Sequence, residues 1–314
     1  MAAVSIDAKK TRELLPQVKI KHWGRWVTAA VILLLSAALV WGASHGNIDY
    51  AAVPGYLVDG SMLEGVLNTI LLAIAAEGAA IVLGVIIALM RVSKNPVAQG
   101  FATVYTWAFR GMPVLVQILL WYNLALVFPR IQIGIPGTAI QFIDVNANSV
   151  MTAFMAAFLG LALNESAYMA EIVRAGLKSV DHGQVEAAQS IGETPWQRTR
   201  RIVLPQAMVV IIPPTSNNFI NMMKSTTLAS VIGFLELVKA ANNISSFNLQ
   251  VMETLLAVAI WYMVLVSVAS VGQYYIERAF DSKGRRPGAA AGPRSLGRSL
   301  KRGLLRPPGM RNKA

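Results

Sequence analysis

Two acids stand inside apolar runs of this 314-residue chain. Glu77 lies in Ala75-Ala76-Glu77-Gly78-Ala79, near the middle of an apolar segment from Met62 to Met90. Glu165 lies near the middle of another, from Val150 to Val173. A charged side chain at a bilayer centre costs about 2.5–3.5 kcal/mol on insertion scales, so such residues face protein or water and mark ligand or proton paths. On the helix that carries Glu165, Asn164, Tyr168 and Glu171 recur at i, i+4 and i+7 and form one polar face. In a further run Asn217, Asn218 and Asn221 lie close to Pro213-Pro214, which loosens the backbone. The chemistry on offer is recognition. Two carboxylates with amide neighbours can hold an ammonium group or pass protons. Glu77, Asn164, Glu165 and Asn218 are expected to contribute to a polar cavity along a path, with Tyr168 and Asn217 beside them. The structural alternative is that Glu77 is neutral or paired with a neighbouring helix, and that the asparagines make interhelical hydrogen bonds.

Other chemistries are excluded by what is missing. There is no cysteine, hence no disulfide, thiol nucleophile or thiolate metal site. His22, His45 and His182 are far apart and lack ligand spacing. No G-x-x-x-x-G-K-[ST] occurs, so the chain has no P-loop, and no G-x-S-x-G supports an enzyme. No cofactor is expected on this chain.

The elements that position the acids must be membrane helices. Hydrophobic residues make up 55% of the chain, charged residues only 14%, and mean hydropathy is +0.51. A soluble domain of this length carries more charge. Residues 1–26 form a basic tail, followed by an apolar run over 27–44, just long enough to span; a retained first span is expected rather than a cleaved signal peptide. Met62 to Met90 is the second span, closed by Arg91, Lys94 and the turn Asn95-Pro96. Residues 97–110 are expected at the interface, anchored by Tyr105 and Trp107. The third span runs from Val114 to Phe128, or continues one that starts near Phe101. Pro129 to Ser149 reads as a loop, and Val150 to Val173 as the fourth span. The fifth runs from about Gln206 to Met223, and Glu253 to Tyr275 is the sixth. Thr226 to Val238 is short enough to be re-entrant or interfacial. The expected fold is an all-α membrane protein of about six transmembrane helices. The basic tail from 278 onward is expected to be disordered, since from Asp281 it has little to bury.

Lys and Arg set the orientation. With the N-terminus inside, 25 of the 28 basic residues fall on cytoplasmic segments, and only Arg130, Lys224 and Lys239 fall outside. The net charge of +12 is thereby explained by tails beside anionic lipid, and a nucleic-acid partner is not expected.

One polar stretch interrupts the spans, Asp181 to Pro205, longer than a connection needs. Asp181 can cap a short helix with Gln184 as capping-box partner. Gly192 sits where a left-handed residue would end it. Thr194, Pro195 and Gln197 open a second helix, and Pro205 is expected to break the chain before the next span.

The spacing Glu186-Ala187-Ala188, three residues, Gly192, nine residues, then Ile202-x-Leu204-Pro205 resembles the EAA loop of ABC importer permeases. Arg110-Gly111-Met112-Pro113-Val114-Leu115-Val116-Gln117, Leu163-Asn164, Ala167 to Arg174 and Lys224 to Leu228 are similar to segments of the polar amino-acid type, the histidine and glutamine permeases. The likeness covers roughly residues 60–277 and implies a type I importer permease core with an extra N-terminal span. It implies that Glu186, Ala187, Ala188, Gly192, Leu204 and Pro205 couple to an ABC ATPase. It implies a second permease subunit, the same or related, and an extracytoplasmic solute-binding protein, with ATP and Mg on the partner ATPase. The substrate would be a polar amino acid, and the two acids point to a cationic one. Met112 and Ser225 depart from the family pattern. The competing reading is a proton-coupled carrier or channel for small amines, which would leave the loop without a job.

Overall fold

The computed structural model describes residues 23–134 and 141–284. They belong to two separately packed units, one ending at Tyr50 and the other beginning at Ala51. The first holds helix α1 (Trp23–Ser44), 22 residues long, with an 18-residue stretch of mean hydropathy 2.1. At 1.5 Å per residue it is long enough to cross a bilayer core of about 30 Å. The boundary of the basic tail moves back accordingly: Trp23 to Trp26 are helical, and the two tryptophans suit an interfacial first turn. The rest of that tail, residues 1–22, lies outside the described residues.

The second unit opens with α2 (Val53–Leu57) and the long α3 (Gly60–Val92). Asp59 starts α3 by accepting hydrogen bonds from the Ser61 and Met62 amides at 2.9 and 3.4 Å. After the turn at Ser93, Asn95 caps α4 (Pro96–Gly111) in the same way, with Pro96 at the first helical position. A continuous third span from Phe101 does not form. Pro113 forces Met112 into an extended conformation (φ −105°, ψ 132°), and the chain restarts as α5 (Val114–Tyr122). Gln117 repairs the break: its Nε2 donates to the carbonyls of Phe109 and Met112 at 2.9 and 3.0 Å, which the end of α4 leaves free.

The expected loop over 129–149 carries more structure than its Gly and Pro suggest. β1 (Arg130–Gly134) pairs antiparallel with β2 (Gln141–Asn146), Arg130 opposite Asn146. A short α6 (Ala147–Val150) follows, then α7 (Ala153–Lys178), capped by Thr152. Helix α7 is central. On its α3 side, Ala73, Ala76, Ala80, Gly84 and Ala88 make a buried stripe of small residues that admits a close approach. A side chain at Gly84 would put Cβ 2.5 Å from the Met169 Cβ. Gly160 of α7 is pressed against Ile118 of α5 in the same way.

The polar stretch forms α8 (His182–Ser190) and α9 (Pro195–Arg198). The expected break at Pro205 is absent. A π-helical turn, Thr199–Val203, runs from α9 straight into α10 (Leu204–Ser225). Pro205 therefore lies inside a continuous helix, separated from the end of the π turn by Leu204 alone. Gly176 of α7 lies against Ile211 of α10. The single short helix expected over 226–238 is divided: a 3₁₀ segment (Thr226–Ile232) ends at Gly233, φ +81°, and α11 (Leu237–Asn248) starts afresh. Glu236 caps α11 by accepting from the Val238 and Lys239 amides at 3.0 and 2.8 Å.

The last helix, α12 (Val251–Gly284), outruns its expected end at Tyr275. Glu277 accepts from Gln273 one turn earlier at 2.7 Å, a pair that carries the helix onward. The tail expected to be disordered is therefore helical over 278–284, and its remainder lies outside the described residues. Four described helices are long and apolar enough to cross a membrane, α1, α3, α7 and α12. The other two expected spans are the broken α4–α5 pair and the more polar α10.

Candidate functional site

The candidates inside the membrane do not gather round one cavity. Glu165 on α7 accepts a hydrogen bond from the Asn218 amide on α10. Glu77 on α3 is close enough to feel the charge of Glu165. It is 4% exposed, and neither of its carboxyl oxygens has a hydrogen-bond partner. Neither acid is salt-bridged to a basic side chain among the described residues. This trio is the part of the expected cluster that the fold brings together.

Asn164 points elsewhere. Its amide donates to the Phe109 carbonyl at 2.7 Å, near the C-terminal end of α4. Tyr168, one turn on, lies beneath the Arg110 guanidinium, 5.1 Å from ring centre to the Arg110 Cζ. Glu171 completes this face with Arg174 at 2.6 Å and Arg91 at 3.3 Å, and Arg91 also donates to Thr106 at 2.7 Å. The polar face over 164, 168 and 171 is thus real, but it meets α4. Successive residues on a helix are about 100° apart, so Asn164 and Glu165 cannot look the same way.

Asn217 is also separated from the trio. With Pro213, Pro214, Asn221 and Lys224 it forms an exposed polar stripe along α10. The opposite side of that helix, Ile212, Thr215, Ser216 and Phe219, faces Glu77. Asn218 sits between these two faces, where it reaches α7.

The polar loop is built as its caps dictate. The Asp181 carboxylate accepts from the Gln184 amide at 3.3 Å. Gly192 has φ +83°, which only glycine adopts without strain, and the Gly192 and Glu193 amides close the helix end on Gln189 and Ala188. Thr194 and Gln197 form the full reciprocal box. Ala188 is buried, whereas Glu186 and Ala187 are exposed. Two large apolar residues are exposed beside them, Ile191 and Trp196. Sequence reasoning passed over both; an unburied Trp in a polar loop was the available signal. Arg198 and Arg201 serve the loop itself, donating to Gln189 at 2.9 Å and Glu193 at 3.4 Å. Gln206 donates to Gln184 at 2.7 Å and ties α8 to α10. Leu204 and Pro205 are exposed at the head of α10.

This arrangement, an exposed capped helix seated on the end of a membrane helix, coincides with a family match. Residues 80–282 match the binding-protein-dependent transport system inner membrane components. The chain belongs to this family. It is 40% identical over 266 residues to the arginine transport system permease protein ArgU of Corynebacterium glutamicum, covering 83% of this chain and 82% of the relative. It is 33% identical over 219 residues to the probable glutamine ABC transporter permease protein GlnM of Bacillus subtilis, covering 70% and 93%. Among solved structures, it is similar to an amino acid ABC transporter crystallised with histidines, with a TM-score of 0.63 and 34% identity over 74% of this chain and all of the other. The inward-facing MetNI methionine transporter shares the fold, with a TM-score of 0.53 at 19% identity. As a permease subunit the chain leaves ATP hydrolysis to a partner.

Proposed function

We propose that this permease belongs to an importer for a cationic amino acid, delivered by a solute-binding protein and driven by a partner ATPase. The observation that carries the cationic part is the uncompensated pair of acids, Glu165 held by Asn218 with Glu77 close behind it. A carboxylate in a low-dielectric site favours a partner that brings positive charge. The permease relative named for arginine supports the same reading. Glu165 and Asn218 meet the substrate's cationic group, Glu77 adds negative potential from behind, and Asn217 lines the approach. A second permease subunit covers the exposed stripe of α10.

Coupling runs through the loop over 181–205 on the cytoplasmic side, with both termini on that side also. Glu186, Ala187, Ile191 and Trp196 meet the ATPase, while buried Ala188 seats the helix, and Gly192, Leu204 and Pro205 shape the loop and its junction with α10. ATP-driven closure of the ATPase dimer moves α8, and α10 follows, so the spans exchange inward-open and outward-open states. ATP and Mg stay on the partner, and this chain binds no cofactor.

The test is uptake of labelled arginine, glutamine and glutamate into proteoliposomes holding the assembled transporter and its binding protein. Arginine uptake is expected to exceed the others and to fall at least about tenfold in Glu165→Gln, the scale of one lost charged hydrogen bond. Preference for glutamate would overturn the cationic reading.

A further inference from the structure

Behind Glu77 lies a cavity of about 380 Å³ between α3, α10 and α12, on the side of α10 away from its exposed asparagine stripe. Ile81, Ile212, Phe219, Ala269 and Ile276 wall it, and Gly272 lines it at a point where an added Cβ would meet nothing within 4 Å. Ile81, Gly272 and Ile276 are exposed at its mouth, so it opens sideways from the helix bundle.

Of the polar groups around it, two are engaged, and the Ser216 hydroxyl is a donor rather than a lone acceptor. The Thr215 hydroxyl donates to the Ile211 carbonyl at 2.8 Å, and the Gln273 amide donates to Glu277 at 2.7 Å. Glu77 is the buried acid among them, with two oxygens that accept nothing. Lone buried acceptors of this kind are costly, and a donor that reaches them gains a charge-assisted hydrogen bond. The occupant must therefore carry N–H donors at one end and an apolar body behind. It is not a free amino acid: no Lys or Arg lines the cavity, so an α-carboxylate would stand unpaired beside Glu77.

We infer that this cavity is a lateral site for a lipophilic amine, an alkyl- or arylalkylammonium that enters from the membrane and places its ammonium on Glu77. The volume falls within the range of small-molecule pockets, about 300–1,000 Å³. The site is separate from the face that Glu165 and Asn218 offer to the transported molecule.

The experiment uses the assembled transporter in nanodiscs and a diazirine-bearing 4-phenylbutylamine, photolysed and mapped by peptide mass spectrometry. Label is expected on the segments holding Ile81, Phe219 and Ile276, displaced by 4-phenylbutylamine but not by 4-phenylbutanol or arginine. It is expected to fall at least about tenfold in Glu77→Gln, as for one charged hydrogen bond. A similar fall is expected in Gly272→Leu and in Ala269→Leu, which fill the space by different routes. Retained ATPase co-purification shows that each variant is folded. Displacement by the alcohol would overturn the proposal in favour of a crevice for lipid acyl chains. Displacement by arginine would make the cavity part of the transport path. No label in the wild type, or cross-links from these segments to another span in its place, would show that protein covers the site.

Discussion

Asn218 on α10 donates its side-chain amide to the carboxylate of Glu165 on α7, 53 positions away in sequence. This bond gives one intramembrane acid a partner, and it joins the helix that continues from the loop over 181–205 to the helix at the centre of the bundle.

Asn218→Leu removes that donor and leaves the Glu165 carboxylate without its partner. An unsatisfied buried group costs about 1–3 kcal/mol, more when charged. Arginine uptake is expected to fall at least about tenfold, with a melting temperature several degrees lower, by the usual scaling of stability to Tm. Asn218→Gln, which keeps an amide, is expected to recover part of both. Uptake by the leucine variant equal to wild type at limiting arginine would remove this pair from the substrate path.

Gly84 and Gly100 make a matched pair. A Cβ at Gly84 collides with Met169 at 2.5 Å, whereas at Gly100 it meets nothing within 4 Å. Gly84→Val is expected to destabilise by about 1–3 kcal/mol or more, the cost of overpacking a tight interface. Gly100→Ala, in an exposed helical position, is expected to be neutral or slightly stabilising. Thermal melts of the detergent-purified chain compare them directly.

In the loop, Gly192→Val forces a β-branched residue to φ +83°, at a cost of about 1–2 kcal/mol. The strain is confined to the turn between α8 and α9, so the membrane helices are expected to melt as in the wild type. Co-purification of the ATPase is expected to drop severalfold, and Glu186→Lys to drop it without touching the turn. Trp196→Ala tests the exposed ring in the same pull-down.

The hairpin offers a pH test. Asp144 accepts two hydrogen bonds from Arg130, both at 2.8 Å, and this guanidinium holds its carboxyl below the usual carboxylate range. A depressed acid stabilises the folded state above its unfolded value and loses that contribution as pH falls through the folded one. Asp144→Asn is therefore expected to matter little at pH 7, since exposed pairs contribute little. Any difference from wild type should shrink as the pH drops below the ordinary aspartate range. Melting curves of the two proteins at pH 7 and pH 3 decide it.

How far the sequence could be read follows the distance over which each feature is decided. The loop was legible because caps, Gly192 and Pro195 act within a few residues. Pro205 misled because a π turn, which no local rule announces, absorbed it. The face over Asn164, Tyr168 and Glu171 was legible as a periodicity, but its partner was not: Phe109 and Arg110 arrive from another helix whose end is set by Pro113. Glu77, Glu165 and Asn218 come together only because Gly84, Gly160 and Gly176 let α7 lie close to three neighbours, and that fit depends on side chains far apart in the chain.

From Trp196 to Asn218 the backbone is helical without interruption, a rod of roughly 33 Å at 1.5 Å per residue. Pro205, Pro213 and Pro214 contribute no amide hydrogens, so the rod is softened at two places, beside its π turn and just ahead of the Asn218 side chain. On the coupling proposed above, a push at Trp196 would reach Asn218 bent at those two places rather than as a rigid shift.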